Sequence, residues 1–195
     1  MINQAYTIGF ARIGKDVTIW PLAKIVSPEV ISIGDSVIID DFVFIMGGKK
    51  MRIGSFVHIA SFTSITGGGN FSMEDFTGLS GGIRVYTGNE DYLGGSLTNP
   101  TVPAPYRKPI RSFVHIKKHA LVGANTVILP GVTIAEGAVI GANSLVTEDC
   151  EAWTVYAGSP AKVLRARRKE RVLEMEAKLR HDLYDTNGRY ISRDE

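Results

Sequence analysis

The chain has 195 residues, 44% hydrophobic and 22% charged, with 22 Lys and Arg against 20 Asp and Glu. That balance describes one domain long enough to bury a core, and it excludes a role resting on bulk electrostatics, such as coating nucleic acid or an anionic membrane. One cysteine, Cys150, excludes a disulfide framework or cysteine-rich metal cluster, no apolar run approaches the ~20 residues of a membrane span, and residues 1–4 lack leader character. A soluble cytoplasmic protein is the expectation. The 21 glycines, beside many Ile and Val, suit short strands joined by tight turns.

In chain order, a register of aliphatic residues runs Ile13, Ile19, Ile25, then Ile33, Ile39, Ile45, then Ile53, Ile59, Ile65, then Met73, Leu79, Val85. The steps are six, six and eight, so the pattern repeats every 20 residues. It resumes at Ile116, Val122, Ile128, Ile134, Ile140 and Val146, strictly six apart, which makes eighteen residues in register. A step of six holds one strand and one turn, and three sides close a triangular coil. Two residues before many of these lie Val17, Val37, Val57, Thr63, Ala120, Thr126, Val132, Ala138 and Ser144. Strand alternation puts both positions inside and the residue between them outside. Gly14, Gly34, Gly54, Gly123 and Gly141 follow aliphatics, where glycine is expected to supply the corner dihedrals. The spacing predicts a mainly β prism of about six coils.

Two segments leave the register. Residues 88–111 hold four prolines and no period, and read as an ordered, functional excursion. After Pro160, the stretch from Val163 to Leu183 lacks Pro and Gly, and Val172, Met175, Leu179 and Leu183 share a helical face. It is expected to form a C-terminal helix over the open end of the prism. The domain reading is 1–162 for the coil with its inserted loop and 163–195 for the helix and tail.

The hexads VGANTV-ILPGVT-IAEGAV-IGANSL-VTED and the following YAGSPAKVLR resemble the hexapeptide-repeat sugar acetyltransferases of the galactoside, maltose and O-antigen type. The resemblance covers roughly residues 8–168. It implies a left-handed parallel β-helix, acetyl-CoA as co-substrate, no metal, and a homotrimer with active sites between neighbouring prisms. Carried over by motif, Gly123, Ala124, Gly141 and Ala142 line the pantetheine groove, and Lys162 and Arg165 meet the nucleotide phosphates. The family often has Lys where this chain has Glu148.

The sugar O-acetyltransferases open this loop with a Thr-Gly-His base; here the sequence reads Thr87-Gly88-Asn89-Glu90-Asp91. A hydroxyl acceptor needs such a base, whereas an amine of pKa about 8 is partly neutral at pH 7. Asn89, Glu90 and Asp91 suit positioning an amine and accepting its protons. The expectation is therefore N-acetylation of a nucleotide-linked amino-deoxy sugar in surface polysaccharide synthesis, with saccharide O-acetylation as the alternative. His58 is expected to point outward beside the thioester carbonyl, as a similar Val-His-Ile stretch does in amino-sugar acetyltransferases of this repeat class. Tyr92, Tyr106, Arg107 and Lys108 are candidates for holding the nucleotide or sugar. A remoter alternative is a γ-carbonic-anhydrase-like zinc enzyme using His58, His115 and His119; His115 and His119 are four apart, where those enzymes space the pair by five.

Overall fold

The computed structural model describes residues 9–192; residues 1–4, considered above for leader character, lie outside the described residues. The aliphatic register becomes three parallel sheets around one narrow core, a left-handed β-helix with a single C-terminal helix. Strands Val17–Ile19, Val37–Ile39, Val57–Ile59, Gly78–Leu79, Leu121–Val122, Val139–Ile140 and Thr154–Ala157 stack on the first face. The second face runs from Lys24–Val26 to Leu145–Val146 and the third from Ile31–Ile33 to Val132–Ile134. Single bridges of Arg12 to Ser32 and Ile134 to Cys150 lengthen the third face.

The first face has eight strands, the last antiparallel, so the coil makes seven turns rather than about six. The final turn escapes a six-residue ruler because the register shortens after Val146. Cys150 stacks on Ile134 and Tyr156 on Ile140, and neither continues the aliphatic series. Of the eighteen aliphatic residues in register, sixteen are buried and Ile13 and Ile25 are partly so. Each buried side chain contributes roughly 1.5–3 kcal/mol. Inward hydroxyls are satisfied locally: Thr126 Oγ1 and Ser144 Oγ both donate to the carbonyl of Gly141, at 3.1 and 2.7 Å.

The glycines after the aliphatics serve a different purpose from the one expected. Left-handed φ falls three residues past the aliphatic, at Asp16, Ser36, Phe56, Phe76 and His119, not at Gly14, Gly34 or Gly54. What excludes a side chain there is the rung above. A Cβ on Gly34 would stand 2.7 Å from the backbone carbon of Gly54. The corner residues that do take positive φ stack as a ladder: Phe56 on Phe76 at 4.9 Å and Phe76 on His119 at 5.2 Å between ring centroids.

The tail also departs from expectation. Residues 163–166 are not helical; strand Lys162–Ala166 turns back antiparallel onto Thr154–Ala157. This pairs the exposed edge of the last rung, the task assigned above to a helix. The helix is Glu170–Leu183, and it runs along the corner between the third and first faces instead of over the open end. Glu176 binds His119 Nε2 at 2.8 Å and Lys118 Nζ at 2.6 Å, while Arg180 reaches Glu176 at 2.6 Å and Asp75 at 3.2 Å. Polar groups carry much of the docking, and Met175 of the expected apolar face stays 38% exposed. Beyond the helix, Tyr190 Oη donates to Asp16 at 2.8 Å.

Burial raises the Glu176 carboxyl, but hydrogen bonds from Lys118, Arg180 and His119 outweigh it and hold the pKa at about 2. A depressed carboxylate stabilises the fold above its unfolded pKa, and that contribution disappears as pH falls from near 4.5 toward 2. Urea titrations of wild type and Glu176→Gln should therefore show a stability gap at pH 7 that closes across this acid window. Gly34→Ala should lower the thermal midpoint, costing about 1–3 kcal/mol, because the Gly54 backbone cannot yield without parting two rungs.

Candidate active site

Register on the first face sets a row of outward side chains in order: Thr18, Ile38, His58, Gly78, Leu121, Val139 and Val155. The row floors a groove of about 820 Å³ whose lining includes Ile38, His58, Gly78, Leu121, Gly123 and Val139. His58 points outward as alternation requires, and is the only imidazole in an otherwise largely apolar floor. Its Nε2 lies 3.1 Å from Asp40 Oδ2 on the adjacent rung. A carboxylate there fixes the ring's orientation and favours one tautomer. Asp40 was not singled out in the sequence; its signal was its place one residue past Ile39, a single rung from His58.

The small-residue positions fall at the corner between the first and second faces. Gly123 N–H donates to the Ile140 carbonyl at 2.8 Å and Gly141 N–H to the Tyr156 carbonyl at 2.7 Å, so the two are stacked one rung apart. A Cβ on Gly123 would stand 2.5 Å from the amide of Ala142. Of Gly123, Ala124, Gly141 and Ala142, Gly123 borders the groove. Lys162 pairs with Ala157, whose Cβ lies against Gly141, and this brings the residue to the same corner. Arg165 pairs with Val155, farther along the first face. Both basic residues are exposed.

The excursion leaves after Thr87 and returns at Ser112, with the Ser112 N–H donating to the Thr87 carbonyl at 2.8 Å across the neck. Strands Gly88–Asn89 and Ile110–Arg111 pair antiparallel at its base. Glu90 binds Arg107 at 3.2 Å, a pairing the sequence did not reveal because the partners lie seventeen residues apart in an unpatterned loop. Among the described residues, Asn89 Oδ1, Glu90 Oε2 and Arg107 Nε are buried without a hydrogen-bond partner. Asp91 accepts the Leu93 N–H at 2.9 Å, which holds its carboxyl below the usual range. Tyr92 and Tyr106 are 82% and 64% exposed, and neither is gathered into the loop base.

One chain does not bring these groups together. The loop springs from the corner between the second and third faces, whereas His58 lies on the first face. The three histidines of the zinc alternative are dispersed too. His115 is on the third face, where its Nδ1 meets Ser72 Oγ at 2.7 Å, and His119 is buried at a corner against Glu176. Among the described residues no three His, Cys, Asp or Glu side chains converge, and no helix is long and apolar enough to cross a membrane.

Comparison with known proteins follows the same lines. The family described as bacterial transferase hexapeptide (six repeats) matches residues 113–148. The dTDP-4-amino-4,6-dideoxy-D-glucose acyltransferase of Escherichia coli is 41% identical over 175 residues, 89% of this chain and 91% of that protein. AntD, an N-acyltransferase from Bacillus cereus, solved in complex with dTDP and 3-hydroxybutyryl-CoA, superposes with a TM-score of 0.86 at 38% identity, covering 92% of this chain and 94% of that one. A probable macrolide acetyltransferase of Lysinibacillus sphaericus is 32% identical over 75% of this chain and 69% of its own. At 41% identity over 91% of the E. coli protein's length, the chain belongs to the hexapeptide-repeat acyltransferase family.

Proposed function

We propose that this acyltransferase moves the acyl group of an acyl-CoA, acetyl in our reading, onto the amine of a dTDP-linked 4-amino-4,6-dideoxy sugar. The observation that carries the reading is the Asn89-Glu90-Asp91 run at the start of the excursion, where a hydroxyl acceptor would require a histidine base. A carboxylate can hold an amine and accept its protons but deprotonates an alcohol poorly. The E. coli relative acts, by its name, on a dTDP-4-amino-4,6-dideoxy sugar, and a variant of AntD has been solved with that class of ligand and coenzyme A.

In this reading the thioester supplies an activated carbonyl, and the amine forms the amide as the thiol leaves. The chain's part is to position and desolvate. Asn89 and Asp91 hold the amine, Glu90 is braced by Arg107, and His58, oriented by Asp40, donates a hydrogen bond toward the carbonyl oxygen or carries the released proton. Gly123, Ala124, Gly141 and Ala142 offer a corner where backbone groups can meet an extended pantetheine arm. Lys162 and Arg165 give a phosphate-rich nucleotide its counter-charge.

Because His58 and Asp91 occupy different sides of one prism, the complete site is proposed to lie between two chains of a homotrimer. The edge between the first and second faces supports that packing, since Trp20, Leu22, Phe42 and Phe62 are exposed along it, with Phe42 and Phe62 stacked at 5.1 Å. Cytoplasmic modification of a surface-polysaccharide precursor is the proposed setting.

An acyl-CoA consumption assay should show turnover with dTDP-4-amino-4,6-dideoxyglucose, none with plain glycosides, and no loss after EDTA treatment. Asp91→Ala should lower kcat about 100-fold with little change in the KM for acyl-CoA. Mixing inactive His58→Ala and Asp91→Ala chains should restore about a quarter of the sites in random trimers. Acetylation of hydroxyl sugars alone would overturn N-transfer, and mixtures that stay inactive would overturn a shared site. Alkylating reagents should not inhibit the folded enzyme, because burial, with Asp149 adding, pushes the Cys150 thiol up to about 11.

A further inference from the structure

We infer that the third face, beneath the C-terminal tail, carries a second ligand site, for a small anion bearing a diphosphate group. The site is a concavity of about 690 Å³ between the first rungs of that face and the tail residues Tyr184, Arg189 and Tyr190, within the range of small-molecule pockets. It lies on a different side of the prism from the groove that holds His58.

Its charge is one-sided. Arg12, Lys15, Lys50, Arg52, Arg180 and Arg189 line it, against Asp35 and Asp75. Both carboxylates are already engaged. Asp35 accepts the Lys15 backbone N–H at 2.8 Å, and Asp75 accepts the Ser55 N–H at 2.9 Å and Arg180 at 3.2 Å. Glu74, whose charge also reaches Arg52, is held by Lys117 at 2.9 Å and the Lys118 N–H at 3.1 Å. Lys15 Nζ donates to the neutral carbonyl of Ile191 at 3.0 Å. Arg12, Lys50, Arg52 and Arg189 therefore make no ion pair among the described residues.

Register supplies the geometry. Arg12, Ser32, Arg52 and Ser72 follow one another on successive rungs of the outward row. The two guanidinium stems thus start roughly 9–10 Å apart with a serine hydroxyl between them. Two arginines rooted in one outward row on either side of a serine suit a group with several phosphoryl oxygens, which accept paired N–H donors. A single carboxylate would leave most of the positive charge unmatched. Because the tail forms one wall, a bound diphosphate would also fasten the tail to the prism.

The test is calorimetric titration of inorganic pyrophosphate into the full chain at low ionic strength, with thermal melts alongside. Wild type should bind, and its Tm should rise with pyrophosphate by linkage. Arg12→Ser/Arg52→Ser, and separately Lys50→Ser/Arg189→Ser, should weaken binding about tenfold or more and abolish the Tm shift. Both variants should keep turnover and acceptor KM within about twofold of wild type, so the catalytic reading is judged separately. The site is overturned if millimolar pyrophosphate neither binds nor shifts the melt, or if both double variants bind it as wild type does. Sulfate binding as tightly as pyrophosphate would overturn the diphosphate class, and a raised acceptor KM in the variants would overturn separateness from the catalytic groove.

Discussion

Everything in this molecule hangs on parallel rungs stacking in register about 4.8 Å apart, with an aliphatic side chain directed inward from nearly every strand. A shift of one residue would exchange the inner and outer sets on that side and expose Ile where water is. The same constraint fixes the outer surface. Once Ile39, Ile59 and Leu79 are inside, Ile38, His58 and Gly78 must form an outward row, each directly over the last. A groove floor is thus a by-product of core packing, and the chemistry on it is set by which residues stand between inward positions.

Close stacking also dictates where small residues are needed. Backbone approaches backbone at the residue following the aliphatic, so Gly34 and Gly123 are excluded from bearing a Cβ by the next rung. The turn itself occurs two residues later, and there aromatic side chains accept left-handed φ and stack on one another outside the coil. The ladder of Phe56, Phe76 and His119 becomes the surface on which the C-terminal helix docks. Arg180 lies 5.4 Å over the Phe76 ring while pairing with Glu176 and Asp75. Helix docking, corner stacking and the ionised Glu176 are consequences of one corner geometry.

A three-sided coil separates functions by face. The groove with His58 and Asp40 occupies the first face, the excursion with Asn89, Glu90 and Asp91 leaves from the opposite corner, and an excess of arginine and lysine gathers on the third. A rigid prism cannot fold these together. The proposed active site consequently draws on two chains, and the proposed anion site can act without disturbing it.

The sequence by itself determined the coil, its core and the outward direction of His58, because a strict six-residue period encodes inside and outside without reference to distant contacts. It also marked the limits of the loop and, through the residues where a histidine would stand, the amine chemistry now proposed. Tertiary structure alone decided that the last turn continues through Cys150 and Tyr156, that residues 162–166 are a strand, and that Asp40 faces His58 and Glu90 faces Arg107. Those outcomes rest on pairings between a free edge or a lone charge and whatever the fold brings beside it, and no period along the chain records them.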